Sequence, residues 1–255
     1  MTLRLEREGP VAHLLIDRAD KRNAFNQAMW DQFPALLAEA MDDPAVRVLV
    51  LRAATPGSAF CAGADITEFA AGARDPAWRA ANQAAITRVQ HGLARAPKPT
   101  VALIEGDCVG GGCGLALACD FRIAGPAARF GITPAKLGLV YPLHDTKLLV
   151  DLVGPAQAKR ILFTGTLLAA AEAQAIGLTT VVDPDPAAAL AGLLAELVAV
   201  SGHSQRMAKA MIQRVLDGQA HDDDATRAEF AAAFDGADFA EGVSAFLDKR
   251  RPVFG

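Results

Sequence analysis

An α/β core with a helical C-terminal region is the fold class this sequence predicts, on three observations. Two short runs, VRVLVLRA (46–53) and PTVALIEG (99–106), are rich in β-branched residues and apolar on both faces, as strands buried in a parallel sheet must be. Stretches of helical spacing, long enough to serve as crossovers, lie between the strand candidates. Strand signals thin out after Val182, and from about residue 144 the pattern is almost wholly helical. The expected division is a core over 1–190 and a helical region over 191–255.

In chain order, residues 2–17 alternate around Glu8-Gly9-Pro10 and predict two strands joined by a turn. QAMWDQFPALLAEAM (27–41) has helical spacing, with a kink expected at Pro34. The strand at 46–53 follows, then the loop ATPGSAFCAGAD (54–65), a helix over 78–95 that ends before Pro97, and the strand at 99–106. Next come a run of three glycines, a helix over 112–119, and short strands at 121–125 and 128–132. Helices are expected at 145–153, 155–163, 169–176, 187–200, 204–217, 223–234 and 239–248.

Composition excludes several classes. The 255 residues are 52% hydrophobic and 21% charged, with a net charge of −4 and no long basic run, so no nucleic-acid partner is expected. The longest apolar stretches, 109–119 and 187–200, are too short or too interrupted to span a bilayer, so no membrane partner is expected. The four cysteines (61, 108, 113 and 119) form no CxxC pair and the five histidines no HxxxH, so no metal site is expected. The N-terminus alternates and carries acids, unlike a secretory signal. A reducing, cytoplasmic setting is the expectation.

Two junctions carry chemistry. A strand ends near Gly106 and a helix begins near Gly112, with Gly110-Gly111-Gly112 between. The first amides of a helix have no internal partner and bear the positive end of its dipole. Glycines let a ligand atom approach them, which suits an anion or a developing oxyanion. Nucleotide loops do not fit: Cys113-Gly114 stands where a P-loop needs Lys-Ser/Thr, and no GxGxxG fingerprint can be drawn through GDCVGGGCG. FCAGADITEF (60–69) is a second such junction, with small residues at its bend.

Together these motifs resemble the crotonase superfamily, the enoyl-CoA hydratase/isomerase family. The resemblance runs the full chain: RNAFN (22–26), VLVLRAA (48–54), FCAGADI (60–66), KPTVALIEGDCVGGGCGLALACDFRIA (98–124), ARFGITPAKLGL (128–139), AKRILFTGTLLAAAEAQAIGL (158–178) and EGVSAFLDKRRPVF (241–254) fall in family order. It implies a crotonase (ClpP/crotonase-like) fold of repeated ββα units, a C-terminal region that forms homotrimers or dimers of trimers, and an acyl-CoA substrate. No cofactor is held permanently; coenzyme A comes as part of the thioester. By motif position, the amides of Ala64 and Gly111 would stabilise the thioester enolate. Arg22, Asn23 and Ala24 would lie along the pantetheine or nucleotide, and the backbone of Ala62, Asp65 and Ile66 would hold the adenine. Phe246 and Lys249 would approach the adenosine, often from a neighbouring subunit. Thr67 stands where relatives often carry a lysine.

Hydration in this family uses two glutamates, and here the sequence departs from the pattern. Gly114 occupies the first position and Pro134 the second, and neither can move a proton. The segment LGLVYPLHDTK (137–147) supplies the replacement candidates Tyr141, His144 and Asp145. A tyrosine at this spacing resembles superfamily decarboxylases. Some superfamily isomerases use one acid in this neighbourhood, a role open to Asp145 or His144. Competing readings make Asp145 the cap of a helix beginning near Thr146 and His144 a surface residue. Glu68 is expected to support its helix N-terminus, Asp120 to make structural hydrogen bonds, and Glu105 is a further acid without family precedent. A lyase or isomerase acting on acyl-CoA is the reading. Decarboxylation or double-bond isomerisation ranks above hydration, and the alternatives are a hydratase with replaced acid/base groups, a catalytically weak CoA-thioester-binding protein, or a nucleotide-binding α/β protein.

Overall fold

A computed structural model describes residues 2–254. Strands β1 (Leu3–Glu8) and β2 (Val11–Ile16) form the expected hairpin about Gly9, and α1 (Gln27–Asp42) follows, capped by the Asn26 side chain on the Met29 amide. α1 runs unbroken through Pro34. Then come β3 (Val48–Ala53), a short α2 (Ile66–Gly72), α3 (Pro76–Ala94), β4 (Thr100–Ile104), β5 (Asp107–Val109), α4 (Gly111–Ala118), β6 (Phe121–Ala124) and β7 (Arg129–Gly131). The rest is α5 (Leu143–Thr164), bent at Gly154, then β8 (Leu168–Ala169), α6 (Ala170–Ala175), β9 (Val181–Val182), α7 (Pro186–Val198), α8 (Gly202–Leu216), α9 (Asp224–Ala232) and α10 (Ala237–Leu247).

The main sheet has order β1-β2-β3-β4-β6-β9, with every pair after the first hairpin parallel. Alternation then explains the apolar runs. Leu49, Leu51, Ala102 and Ile104 face the larger core under α1, α3 and α4, while Val48, Val50, Val101 and Leu103 face a second core that α7 closes with Leu190. The division expected at 190 therefore falls inside α7. A small second sheet, β5-β7-β8, stands beside the first.

Asp120 carries structural hydrogen bonds, as expected: its Oδ2 accepts from the Thr100 amide and hydroxyl and from Lys209 Nζ on α8, tying the helical region to β4. Exposed apolar side chains include those around 137–143 (Val140, 91%; Leu143, 86%) and, on the last helices, Phe230, Phe234, Phe246 and Leu247. No single helix among the described residues is long and apolar enough to cross a membrane.

Candidate active site

The two glycine junctions are laced together by main chain. Cys61 bridges Cys108 in parallel fashion: its amide donates to Asp107 O at 3.1 Å and its carbonyl accepts from Val109 at 2.9 Å. On the other side Phe25 bridges Ala64, donating to Gly63 O and accepting from the Asp65 amide, each at 2.8 Å. Gly63 has φ +100°, and a Cβ there would stand 3.1 Å from Val109 O and 3.7 Å from the Gly111 nitrogen. The bend of one loop thus lies directly on the start of α4. The Ala64 and Gly111 amides donate to no described residue, and neither do those of Gly112 and Cys113 in the first turn of α4.

Each member of the glycine triplet has its own reason. Gly110 sits at φ +56°, where a side chain is strained. Gly111 rests against the Trp30 ring, 3.2 Å from where its Cβ would be. A Cβ on Gly112 would lie 2.6 Å from Cys61 Cβ and 2.9 Å from its Sγ, so only glycine lets the loops close to this spacing.

Beside Ala64 runs a groove of about 380 Å³. Arg22, Ala24, Ala62, Ala64, Asp65 and Ile66 line it, together with Thr67. Asn23 does not. It is buried, its Oδ1 accepting from the Arg18 amide and its Nδ2 donating to Ala59 O, so its side chain shapes the turn rather than facing a ligand. Arg22 and Asn23 both hold left-handed backbone (φ 52° and 56°), strain that this web of bonds sustains. Arg18 braces the whole edge, donating to Ala24 O and pairing with Asp65 at 2.7 Å. That bond, with the Thr67 and Glu68 amides, holds the Asp65 carboxyl below its ordinary range. Glu68 stands in the first turn of its own helix, as expected, and its carboxylate also accepts from the Gln27 amide at the start of α1. Phe246, on α10, and Lys249 just beyond it do not line the groove.

One turn along α4 from Gly111 stands Gly114. A Cβ there would collide with the Gln90 amide and lie 3.5 Å from the Tyr141 hydroxyl. Gln90 (α3) is 1% exposed and Asp145 (α5) 3%. With its amide nitrogen turned to the carboxyl, Gln90 donates to both Asp145 oxygens, at 3.0 Å to Oδ2. Burial pushes Asp145 up to about 7. The Tyr141 hydroxyl is buried without a partner, and burial followed by the neighbouring Asp145 raises it well above its ordinary value. His144 faces His91 with ring centroids 5.5 Å apart, and burial, then that neighbour, lowers it.

The whole chain now has its counterparts. The family profile described as enoyl-CoA hydratase/isomerase matches residues 6–255. The chain belongs to that family. Crotonyl-CoA hydratase of Syntrophomonas wolfei is 34% identical over 98% of this chain and 96% of its own length. A solved enoyl-CoA hydratase/isomerase family protein from Hyphomonas neptunium superposes with a TM-score of 0.96 at 38% identity, covering 100% of this chain and 98% of that one. An enoyl-CoA hydratase/carnithine racemase from Magnetospirillum magneticum does so with 0.95 at 32% identity, over 100% and 96%. The crotonase fold expected from the motifs is the fold observed.

For this enoyl-CoA hydratase/isomerase family member, one site expectation needs correction. Asp145 is no helix cap: α5 begins two residues earlier than expected, at Leu143 after Pro142, no side chain caps it, and Asp145 points into the core instead. Glu105 lies after β4, beside Gly125, away from the Gly114 cluster. The residue that sequence reasoning missed is Gln90. Its signal was positional: it sits four residues after Ile86 and three before Leu93, on the apolar stripe of α3, where a polar side chain needs a buried partner.

Proposed function

We propose that this acyl-CoA enzyme moves a carbon–carbon double bond within an enoyl thioester, with Asp145 as the single proton carrier. The observation behind it is one buried carboxyl, raised by burial to about 7, in contact with the Gln90 amide that packs on Gly114, one turn along α4 from the unpaired Gly111 amide. A base poised near the operating pH is what such a transfer needs. In this reading the thioester oxygen lies between the Ala64 and Gly111 amides and coenzyme A occupies the groove along Arg22, Ala24, Ala62, Asp65 and Ile66. Asp145 carboxylate takes a proton from Cα of a 3-enoyl thioester. The electron pair spreads onto the oxygen as a dienolate, and the carboxylic acid returns the same proton to Cγ, leaving a 2-enoyl thioester and the original carboxylate. Each such amide is typically worth roughly 3–4 kcal/mol of barrier.

Hydration calls for a second acid/base group, and by the motif resemblance Gly114 and Pro134 would stand at the family's two glutamate positions. The hydratase names of relatives favour hydration, and the product decides. A second reading, decarboxylation, is favoured by the unpartnered Tyr141 hydroxyl, which could orient a leaving carboxylate. The exposed apolar side chains support assembly with further copies of this chain, which would bring Phe246 and Lys249 to a neighbour's groove.

The test is mass spectrometry of 3-enoyl-, 2-enoyl- and malonyl-type CoA thioesters incubated in light and heavy water. Isomerisation gives interconversion of the enoyl forms without mass change in light water, and Asp145→Asn slows it by about 10²- to 10⁴-fold. Gain of water without interconversion, or full activity in Asp145→Asn, refutes the reading; loss of carbon dioxide favours the Tyr141 alternative.

A further inference from the structure

Gln90 is wedged between two groups of the site without being a candidate reactant itself. On one side its amide fills the volume that any side chain at position 114 would occupy. On the other it meets the Asp145 carboxyl. An amide is donor at one end and acceptor at the other, and a half-turn about its terminal bond exchanges the two. With the nitrogen toward Asp145 it donates to both oxygens of the carboxylate. With the carbonyl toward Asp145 it accepts from the protonated acid. A proton carrier in a dry pocket must be held in both of these states, because a buried group left unpaired in either one raises the barrier to reaching it.

We propose that Gln90 is the positioning residue of the proton shuttle, a reversible amide that keeps Asp145 in one place whether ionised or protonated. This rests on the reading of Asp145 as the proton carrier. It also gives Gly114 a role: the missing side chain admits the amide. The titratable neighbours leave this pairing to itself. The Tyr141 hydroxyl and the Cys108 thiol are held high by burial and stay protonated through the neutral range. Cys113 lies close to both of them, on α4. His144, next in the chain, faces His91 on α3, with Arg95 and Lys147 nearby, and burial keeps it low.

Two variants test the proposal. Gln90→Met keeps the bulk and removes both hydrogen-bonding ends, and Gly114→Ala pushes the amide away from the opposite side. The direct readout is infrared titration of the Asp145 carboxyl, assigned by subtraction of Asp145→Asn. Both variants should raise its midpoint by about one unit, since the carboxylate loses a donor worth more than the acid's bond to the carbonyl. The acid limb of kcat should move with it, and kcat at pH 7 should fall about fivefold, while KM changes less than about twofold. If either variant, folded, leaves the midpoint and the acid limb in place, Gln90 only fills space and the proposal is overturned. Full activity in Asp145→Asn would instead sink the proton-carrier reading, and the infrared midpoint would still report whether Gln90 holds the carboxyl.

Discussion

Asp145→Asn should alter the pH dependence of stability in a way no surface carboxylate does. The carboxyl moves from an ordinary 3.8 in the unfolded chain to about 7 in the folded one because it is buried. A raised pKa in an acid means that the folded state holds the proton longer. Stability is therefore full below the unfolded value, declines as pH rises through the interval, and is flat above about 7. The slope is about 1.4 kcal/mol per unit between the two values. From pH 5 to pH 8 wild type should lose about 3 kcal/mol that the amide variant keeps. The assay is urea denaturation of both proteins at pH 5, 6, 7 and 8, at one fixed subunit concentration because association shifts apparent stability. Only the difference between the two curves matters, since every other group cancels. A difference that stays flat to within about 0.5 kcal/mol across that range would refute the claim that Asp145 is a buried, proton-retaining carboxyl.

Two further outcomes test the scaffold. Gly112→Ala forces a methyl to 2.6 Å from Cys61 Cβ, so the loops must part; the expected losses are about 1–3 kcal/mol of stability and, through the displaced Gly111 amide, about 10²- to 10³-fold in kcat, read by urea midpoint and turnover. Arg122→Met leaves buried carbonyls of Leu178, Ala116 and Cys119 without the guanidinium that now binds them, at 2.8, 3.3 and 2.7 Å; a loss of about 3 kcal/mol or more is expected, and an unchanged melting curve would contradict that account.

Much of the fold was legible because burial on both faces writes itself as continuous apolar runs; VLVLRA and TVALI could hardly be anything but inner strands. β5 was not legible. Three residues beginning with an acid, Asp107, look like a loop, and only the second sheet and the Arg22 and Arg129 guanidinia around that carboxyl make it a strand. The capping error at Asp145 has a similar origin. An Asp before a helical run normally faces outward to bind amides, and local pattern cannot tell that α5 starts earlier and buries this side chain. The surroundings of Asn23 were not legible either, because bonds from the Arg18 amide and to the Ala59 carbonyl, set by tertiary structure, claim its side chain. Gln90 and Asp145, 55 positions apart, meet because α3 and α5 pack against α4 and against each other.

The main-chain bridges of Cys61 to Cys108 and of Ala64 to Phe25 separate two kinds of inheritance. Where the free amides sit is dictated by strand-like pairing of peptide groups, which almost any side chain permits provided the glycines stay. What reacts beside them is dictated by a handful of side chains on neighbouring helices, free to drift. Such a chassis can trade one chemistry for another, or lose chemistry altogether, while the placement of its main-chain amides stays unaltered.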